Sequence, residues 1–326
     1  MKLNLGDFPT PAHILIGFFE IGIYNLYIKR DDLTSKLYGG NKVRKLEYVL
    51  ADAISKDAKR VITFGYAGSN HAVATAAYAS KLGIKCSLIL EKQKNSEHLR
   101  KNLLLDKTYN ADMFFANNKI ECGLIAAREL LKKSEKPYLI PPGASSPLGN
   151  LGYVNAALEL KEQLGKEIPE PDYIVLPVGT AGTISGLASG LKIAGINSKI
   201  IGVDIIGNIF ANPVNIIRQQ HSVLKLAREE FGIGGKLNLN FEIMHNFLGD
   251  GYGIPTKKTR AAIRVIKSLA DITLEHTYSA KAFAAAASLA DKNPEKKVLF
   301  WNTYNSSPQS PTASPKELEE EFQRYF

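Results

Sequence analysis

Ile174-Val175-Leu176-Pro177-Val178-Gly179-Thr180-Ala181-Gly182-Thr183 runs from an unbroken apolar segment into a cluster of small residues, and then into a helix-period segment over 182–194. An apolar run without polar alternation is the pattern of a parallel strand covered on both faces. The pattern repeats in both directions along the chain. Apolar runs at 61–64, 86–90, 113–116, 138–140, 200–206 and 298–301 are separated by helix-period segments at 41–55, 70–82, 96–105, 121–133, 148–164 and 256–269. Strand alternating with helix predicts an α/β layered fold. The stretch 208–250 interrupts it, with a basic helix expected over 214–231 and a Gly-rich turn at 232–235; an insertion helix packed on the core and a cap or subunit contact are both open there. A surface helix is expected over 316–326, after Pro315.

The chain has 326 residues, enough for two domains of roughly 150 residues each and a cleft. Lys and Arg number 41 against 32 Asp and Glu, a net charge of +9, and 45% of residues are hydrophobic, which excludes a disordered tail. The densest basic pairs, Lys132-Lys133, Lys257-Lys258 and Lys296-Lys297, fall near expected element ends with no zinc finger or aromatic-studded basic strand beside them. They read as solvated surface, and no nucleic-acid partner is expected. The positive excess suits anionic metabolites. Cys86 and Cys122 form neither a CxxC pair nor a zinc knuckle, so no metal is expected and a reducing, cytoplasmic location is. Polarity breaks early in Met1-Lys2-Leu3-Asn4-Leu5-Gly6-Asp7 and no run of 18 apolar residues occurs, so neither secretion nor a membrane span is expected.

In parallel α/β sheets ligands bind beyond the carboxyl ends of strands, where helix-start amides face the ligand. Three turns qualify. Gly179-Thr180-Ala181-Gly182-Thr183 combines small residues, free helix-start amides and two hydroxyls, which suits a phosphate; an ordinary tight βα turn is the alternative. It matches neither GxGxxG nor GxxxxGK[ST], so a smaller phosphorylated cofactor fits better than a dinucleotide. The second turn is Phe64-Gly65-Tyr66-Ala67-Gly68-Ser69-Asn70-His71. Ala67 stands where a nucleophile elbow needs glycine, and Ser69 reads equally as an N-cap. The third turn joins Lys29-Arg30-Asp31-Asp32-Leu33-Thr34 to Tyr38-Gly39-Gly40-Asn41-Lys42-Val43-Arg44-Lys45. A lysine in the first turn of a helix loses its proton more readily and can form a Schiff base with a carbonyl. A charged surface turn is the competing reading.

Together these turns resemble the pyridoxal-phosphate enzymes of the tryptophan synthase beta-chain superfamily, within the group of D-cysteine desulfhydrase and 1-aminocyclopropane-1-carboxylate deaminase. The most specific piece is Ile28-Lys29-Arg30-Asp31-Asp32-Leu33-Thr34 with Gly39-Gly40-Asn41-Lys42-Val43-Arg44-Lys45-Leu46-Glu47. The resemblance implies two open, twisted, mostly parallel sheets with helices on both faces. It also implies a large cofactor-binding domain of residues 1–45 and 150–326, a small inserted domain of 46–149, and a homodimer. Pyridoxal 5'-phosphate is the implied cofactor, with Lys42 as its Schiff-base lysine. Gly179, Thr180, Ala181, Gly182 and Thr183 would hold the phosphate, while Ser69 and Asn70 would meet the substrate carboxylate and the cofactor's phenolic oxygen. Tyr252, in Gly251-Tyr252-Gly253-Ile254-Pro255, and Tyr278 would line the substrate side, and Thr303 would face the pyridine nitrogen.

The departures from the family pattern bear on the substrate. Gly68 and Ala72 replace a glutamine and a bulkier residue, which implies a roomier turn. Ser279 follows Tyr278 where the deaminase has a glutamate on the pyridine nitrogen; as a cofactor-binding hydroxyl partner it would leave that nitrogen less protonated, which disfavours cyclopropane opening. Trp301-Asn302-Thr303-Tyr304-Asn305 replaces His-Thr-Gly-Gly, with Tyr304 and Asn305 remodelling the pocket. The implied activity is β-elimination from a small amino acid of D-cysteine type. A ring-opening deaminase, a racemase, a β-replacing synthase and a non-catalytic cofactor-binding protein are its alternatives.

Overall fold

The computed structural model describes residues 2–207 and 210–326; Asn208 and Ile209, at the start of the expected insertion, lie outside the described residues. The chain forms two compact units. One comprises Met1–Leu5, Leu46–Ala144 and Pro308–Phe326, and the other Gly6–Lys45 and Ser145–Ser307.

The larger unit is built on a six-stranded sheet. Its strands, numbered along the chain, are β1 (Ala12–Ile14), β2 (Leu26–Lys29), β7 (Tyr173–Val178), β8 (Lys199–Asp204), β9 (Phe241–Met244) and β10 (Val298–Trp301), in the order β1-β2-β10-β7-β8-β9. Only the β1–β2 pair in it is antiparallel. The apolar runs are divided by the two-residue period of the strand. Ile174, Leu176, Val178, Leu299 and Trp301 join one core with Tyr153, Leu160, Leu187 and Leu191. Those partners come from α5 (Pro147–Gln163) and α6 (Gly182–Ala194). Val175, Val298 and Phe300 join a second core with Ile266 and Phe283, from α8 (Lys257–Ala270) and α9 (Ser279–Lys292). Phe283 stacks edge-on against both Phe18 and Phe300, with ring centroids 5.6 and 5.2 Å apart. Burial of each such side chain contributes about 1.5–3 kcal/mol.

The smaller unit holds β3 (Arg60–Tyr66), β4 (Lys85–Glu91), β5 (Asp112–Ala116) and β6 (Pro137–Leu139), all parallel and ordered β5-β4-β3-β6. Its helices include α2 (Asn70–Lys81), α3 (Glu97–Thr108) and α4 (Lys119–Leu130). Side-chain caps explain where helix starts differ from the periodicity. Asn118 accepts from the amides of Ile120 and Glu121 and starts α4 at 119 rather than 121; Ser146 accepts from Gly149 N and starts α5 at Pro147.

Several elements differ from the sequence expectations. β1 and β9 are short edge strands without an apolar run, β2 mixes Tyr27 and Lys29 with its apolar residues, and α9 is alanine-rich, with Ala280, Ala282, Ala285, Ala286 and Ala290 all buried. The expected surface helix at 316–326 is instead a 3-10 turn at Pro315–Glu317 followed by the short α10 (Glu320–Gln323). Leu318, Phe322 and Tyr325 are buried, Phe322 lies edge-on to Phe115, and Asn95 donates to the Tyr325 carbonyl at 2.8 Å. Those contacts draw residues 308–326 into the smaller unit, as the bond from Leu3 N to the Glu47 carbonyl does for residues 1–5. The insertion helix is α7 (Pro213–Phe231), ended by Gly232 in the left-handed conformation. No helix among the described residues is long and apolar enough to cross a membrane.

Asp106, on α3, is fully buried, and among the described residues neither carboxyl oxygen has a hydrogen-bond partner. Burial pushes this carboxyl well above the usual range. A carboxyl raised on folding costs stability once pH exceeds its unfolded value, and the cost grows as pH rises. Asp106→Asn is therefore expected to raise the thermal unfolding temperature by a few degrees near neutral pH, with the gain shrinking towards about pH 4. An equal shift at both pH values would show that the carboxyl carries no linked proton.

Candidate functional site

The helix α1 (Lys42–Ser55) begins directly after a tight approach of backbone to backbone. Gly40 has φ +94°, and a Cβ there would stand 2.8 Å from the Thr303 carbonyl oxygen. Asn41 N donates to that same carbonyl at 3.1 Å, while Asn305 Oδ1 accepts from Gly39 N at 2.7 Å. Asn305 thus fastens the loop that leads into Lys42.

Below this loop Arg44 donates to Asp31 at 2.7 and 3.0 Å and to Glu159 at 2.8 and 2.9 Å. Asp31 also accepts from the Tyr153 hydroxyl at 2.6 Å, the Trp301 indole at 2.7 Å and the Thr10 hydroxyl at 2.9 Å. Lys29 donates to Glu159 and Gln163, each at 2.5 Å. Burial would raise the Asp31 carboxyl, but the charges of Arg44 and Lys29 and the bonds from Arg44 and Tyr153 outweigh it and hold the group below its usual value. Lys29 and Asp31 of the motif, with Glu159, therefore anchor the start of α1.

From that anchored start Lys42 Nζ donates to Asn41 Oδ1 at 3.0 Å, and Asn41 Nδ2 donates to Thr183 Oγ1 at 3.1 Å. Asn41, which sequence reasoning passed over, links Lys42 to the beginning of α6. Burial brings the Lys42 amine down to about 8 from the ordinary lysine value of 10.5.

The turn Gly179 to Thr183 forms a cup of donors. Ala181 has φ +67° and caps α6 without a side-chain acceptor, which leaves the first-turn amides available. Thr180 Oγ1 meets Ser145 Oγ at 2.6 Å, Lys45 Nζ donates to Ser145 Oγ at 3.0 Å, and Gln219 on α7 donates to the Thr180 carbonyl at 2.8 Å. A Cβ on Gly182 would lie 2.5 Å from Lys45 Nζ and 2.4 Å from Ser145 Oγ, so a side chain there would displace the cup's own polar groups. The Lys45 ammonium is held well below its ordinary value by burial and then by the Lys42 charge. A bound anion would offset both costs. Helix-start amides, hydroxyls and a buried ammonium around a side-chain-free position fit a phosphate.

Beside the cup, the Tyr278 ring lies 3.9 Å from where a Cβ on Gly179 would stand. The Tyr278 and Tyr252 hydroxyls meet at 2.5 Å, with the rings edge-on. Ser279 is fully buried. Its hydroxyl donates to Glu275 Oε1 at 3.2 Å and accepts from Glu275 N at 3.0 Å. Glu275, unremarked in the sequence, also accepts from the amides of Thr277, Tyr278 and Ser279. The Tyr304 phenol is pushed up by burial and by the Glu275 charge.

Ser69 and Asn70 belong to the smaller unit. Ser69 caps α2 by accepting from Ala72 N at 3.3 Å, and Asn70 Oδ1 accepts from Asn102 Nδ2 at 3.0 Å. His71 is buried between the Thr63 and Thr75 hydroxyls, the ordinary role of a helix histidine. The expected extra room at Gly68 is taken by Gln93. Its Oε1 accepts from Gly68 N at 2.9 Å, and its amide stands 3.1 Å from where a Cβ would be.

Residues 3–303 match the family described as "Pyridoxal-phosphate dependent enzyme". The chain belongs to this family. A Thermotoga maritima protein named "Putative 1-aminocyclopropane-1-carboxylate deaminase" is 36% identical to it over 308 residues, 93% of this chain and 96% of that protein. D-cysteine desulfhydrase of Salmonella newport is 32% identical over 324 residues, covering 93% of each chain. The crystal structure of an "ACC deaminase homologue" superposes with a TM-score of 0.79 at 35% identity, over 94% of this chain and 92% of that one. This pyridoxal-phosphate-dependent enzyme is therefore a lyase of the deaminase and desulfhydrase type. When bound, the cofactor supplies an electron-withdrawing ring that takes up charge developing at the substrate's α-carbon. Lys42 and the cup around Gly182 are the residues of this chain that suit its aldehyde and its phosphate.

An amine near 8 gains its reactive, uncharged form as pH rises through that value. Uptake of pyridoxal phosphate by the cofactor-stripped enzyme, followed by visible absorbance, is expected to speed up through about pH 8 and level off above it. A rate independent of pH across that range would contradict the lowered value.

Proposed function

We propose that this enzyme catalyses β-elimination from a small amino acid of D-cysteine type, releasing pyruvate, ammonia and sulfide. The observation that carries the reading is the Tyr252–Tyr278 hydroxyl pair beside the phosphate cup, in the same unit as Lys42. Elimination needs a base for the α-proton and an acid for the departing sulfur. Lys42 Nζ, with its lowered affinity for protons, is suited to the first task. Two phenols in one short hydrogen bond suit the second, because the oxygen left after one gives up its proton keeps a donor beside it. Thr303 is assigned to the pyridine nitrogen; its carbonyl is tied to Asn41 N, the residue before Lys42. The roles of Ser69 and Asn70 towards the substrate carboxylate rest on the Ser-Asn-His resemblance.

Ring opening of a cyclic amino acid is the second reading, and Glu275 is the observation that favours it. A carboxylate bonded to Ser279 brings an acidic group next to the position where the deaminase carries glutamate. Three backbone amides already occupy that carboxylate, which counts against a role on the ring. Purified enzyme is expected to yield pyruvate and sulfide from D-cysteine and little 2-oxobutyrate from 1-aminocyclopropane-1-carboxylate. The reverse product pattern would replace the first reading by the second.

A further inference from the structure

Lys281 lies two residues beyond Ser279 on α9 and is fully buried. Its ammonium donates to two main-chain carbonyls, Leu248 at 2.7 Å and Gly251 at 2.9 Å. The bonded segment has three glycines at positive φ: Gly249 at +68°, Gly251 at +138° and Gly253 at +73°. Tyr252 stands between the last two. A backbone of this kind has little stiffness of its own, and no helix or strand of the larger unit includes Tyr252.

A buried ammonium is an expensive way to fill space. An apolar side chain of similar length avoids the desolvation cost and serves stability as well or better. What methionine or leucine lacks at 281 is the ability to tie two carbonyl groups at once. The carbonyl of Gly251 directly precedes Tyr252, and Tyr278 is the N-cap residue of the helix that carries Lys281. One side chain thus bridges the segments that bear the two phenols. Burial disfavours the ammonium, and the charges of Glu275 and Asp204 offset part of that cost; Asp204 is itself occupied by His245 and by the amides of Ile206 and Gly207.

We propose that Lys281 is the positioning residue of the Tyr252–Tyr278 pair, holding the 248–253 loop so that the two hydroxyls meet. The proposal rests on the reading that this pair faces the substrate.

The test is a double-mutant cycle with Lys281→Met and Tyr252→Phe, measured on the cofactor-loaded enzyme with D-cysteine. Lys281→Met is expected to keep the visible absorbance and cooperative unfolding while lowering kcat/KM by roughly 100-fold, the cost of a misplacement of about 1 Å. In the Tyr252→Phe background the same change is expected to cost less than about twofold, because the group it positions is already gone. Loss of the full factor in both backgrounds would overturn the positioning role and leave the role of Tyr252 standing. A Tyr252→Phe enzyme as active as the wild type would overturn both. If Lys281→Met does not fold, Lys281→Gln, which keeps a donor too short to hold both carbonyls, runs the same cycle.

Discussion

Lys42→Ala is expected to give a folded protein without visible absorbance and with activity lowered by at least about 10⁴-fold, the scale seen when a group central to covalent catalysis is removed. The size follows from the two tasks proposed for one amine: it would attach the cofactor, and once displaced by substrate it would take the α-proton. Neither task passes easily to a neighbour. Lys45 is nearby, but its Nζ is bonded to Ser145 and lies against Gly182 on the cup side. Absorbance spectra with and without added pyridoxal phosphate, together with pyruvate release, check the outcome. Retained colour in Lys42→Ala would move the attachment point to another lysine.

Asp31→Asn is expected to destabilise the larger unit by about 3–5 kcal/mol, the range for breaking a buried ion pair from one side. The change leaves Arg44 with one of its two carboxylates and deprives Tyr153, Trp301 and Thr10 of a charged acceptor. At roughly 2–4 °C per kcal/mol, the unfolding temperature should fall by about 6–20 °C. The pH dependence has a definite sign. A carboxyl held below its unfolded value contributes stability that is fully present above that value and lost as pH falls through the lower, folded one. The gap between wild type and Asp31→Asn should therefore narrow below about pH 4. Coincident unfolding curves near neutral pH would show that the network is not needed to hold the start of α1.

Much of the fold is readable because apolar residues dominate the buried strands; β2, with Tyr27 and the buried Lys29 in four residues, is the interior strand this pattern misses. The 174–178 run lies within β7 and the 182–194 segment coincides with α6, which ends at Gly195 in the left-handed conformation. The edges of the large sheet were hidden, since β1 and β9 have only half-covered, mixed sequences. The helix α9 was hidden for the opposite reason: alanine on nearly every face leaves no stripe to detect. The site divides along similar lines. Gly40, Lys42 and Gly182 announce themselves through local chemistry, a positive φ or a helix start. Asn41 acts by bridging to Thr183, far along the chain, and no spacing rule reveals that. Glu275, in the loop four residues before Ser279, and Lys281, two residues after it on α9, pass for ordinary surface residues until their burial is seen. Gln93 shows the converse, because a space vacated at Gly68 was refilled from another loop.

The central claim is that this chain carries pyridoxal phosphate on Lys42 and uses it on a small amino acid. The most direct measurement is the visible spectrum of the purified enzyme, titrated with a panel of D- and L-amino acids. A lysine-bound cofactor band that D-cysteine displaces, with pyruvate and sulfide accumulating together, is the predicted result. A spectrum that no amino acid alters, or a protein that stays colourless with cofactor added, would contradict it.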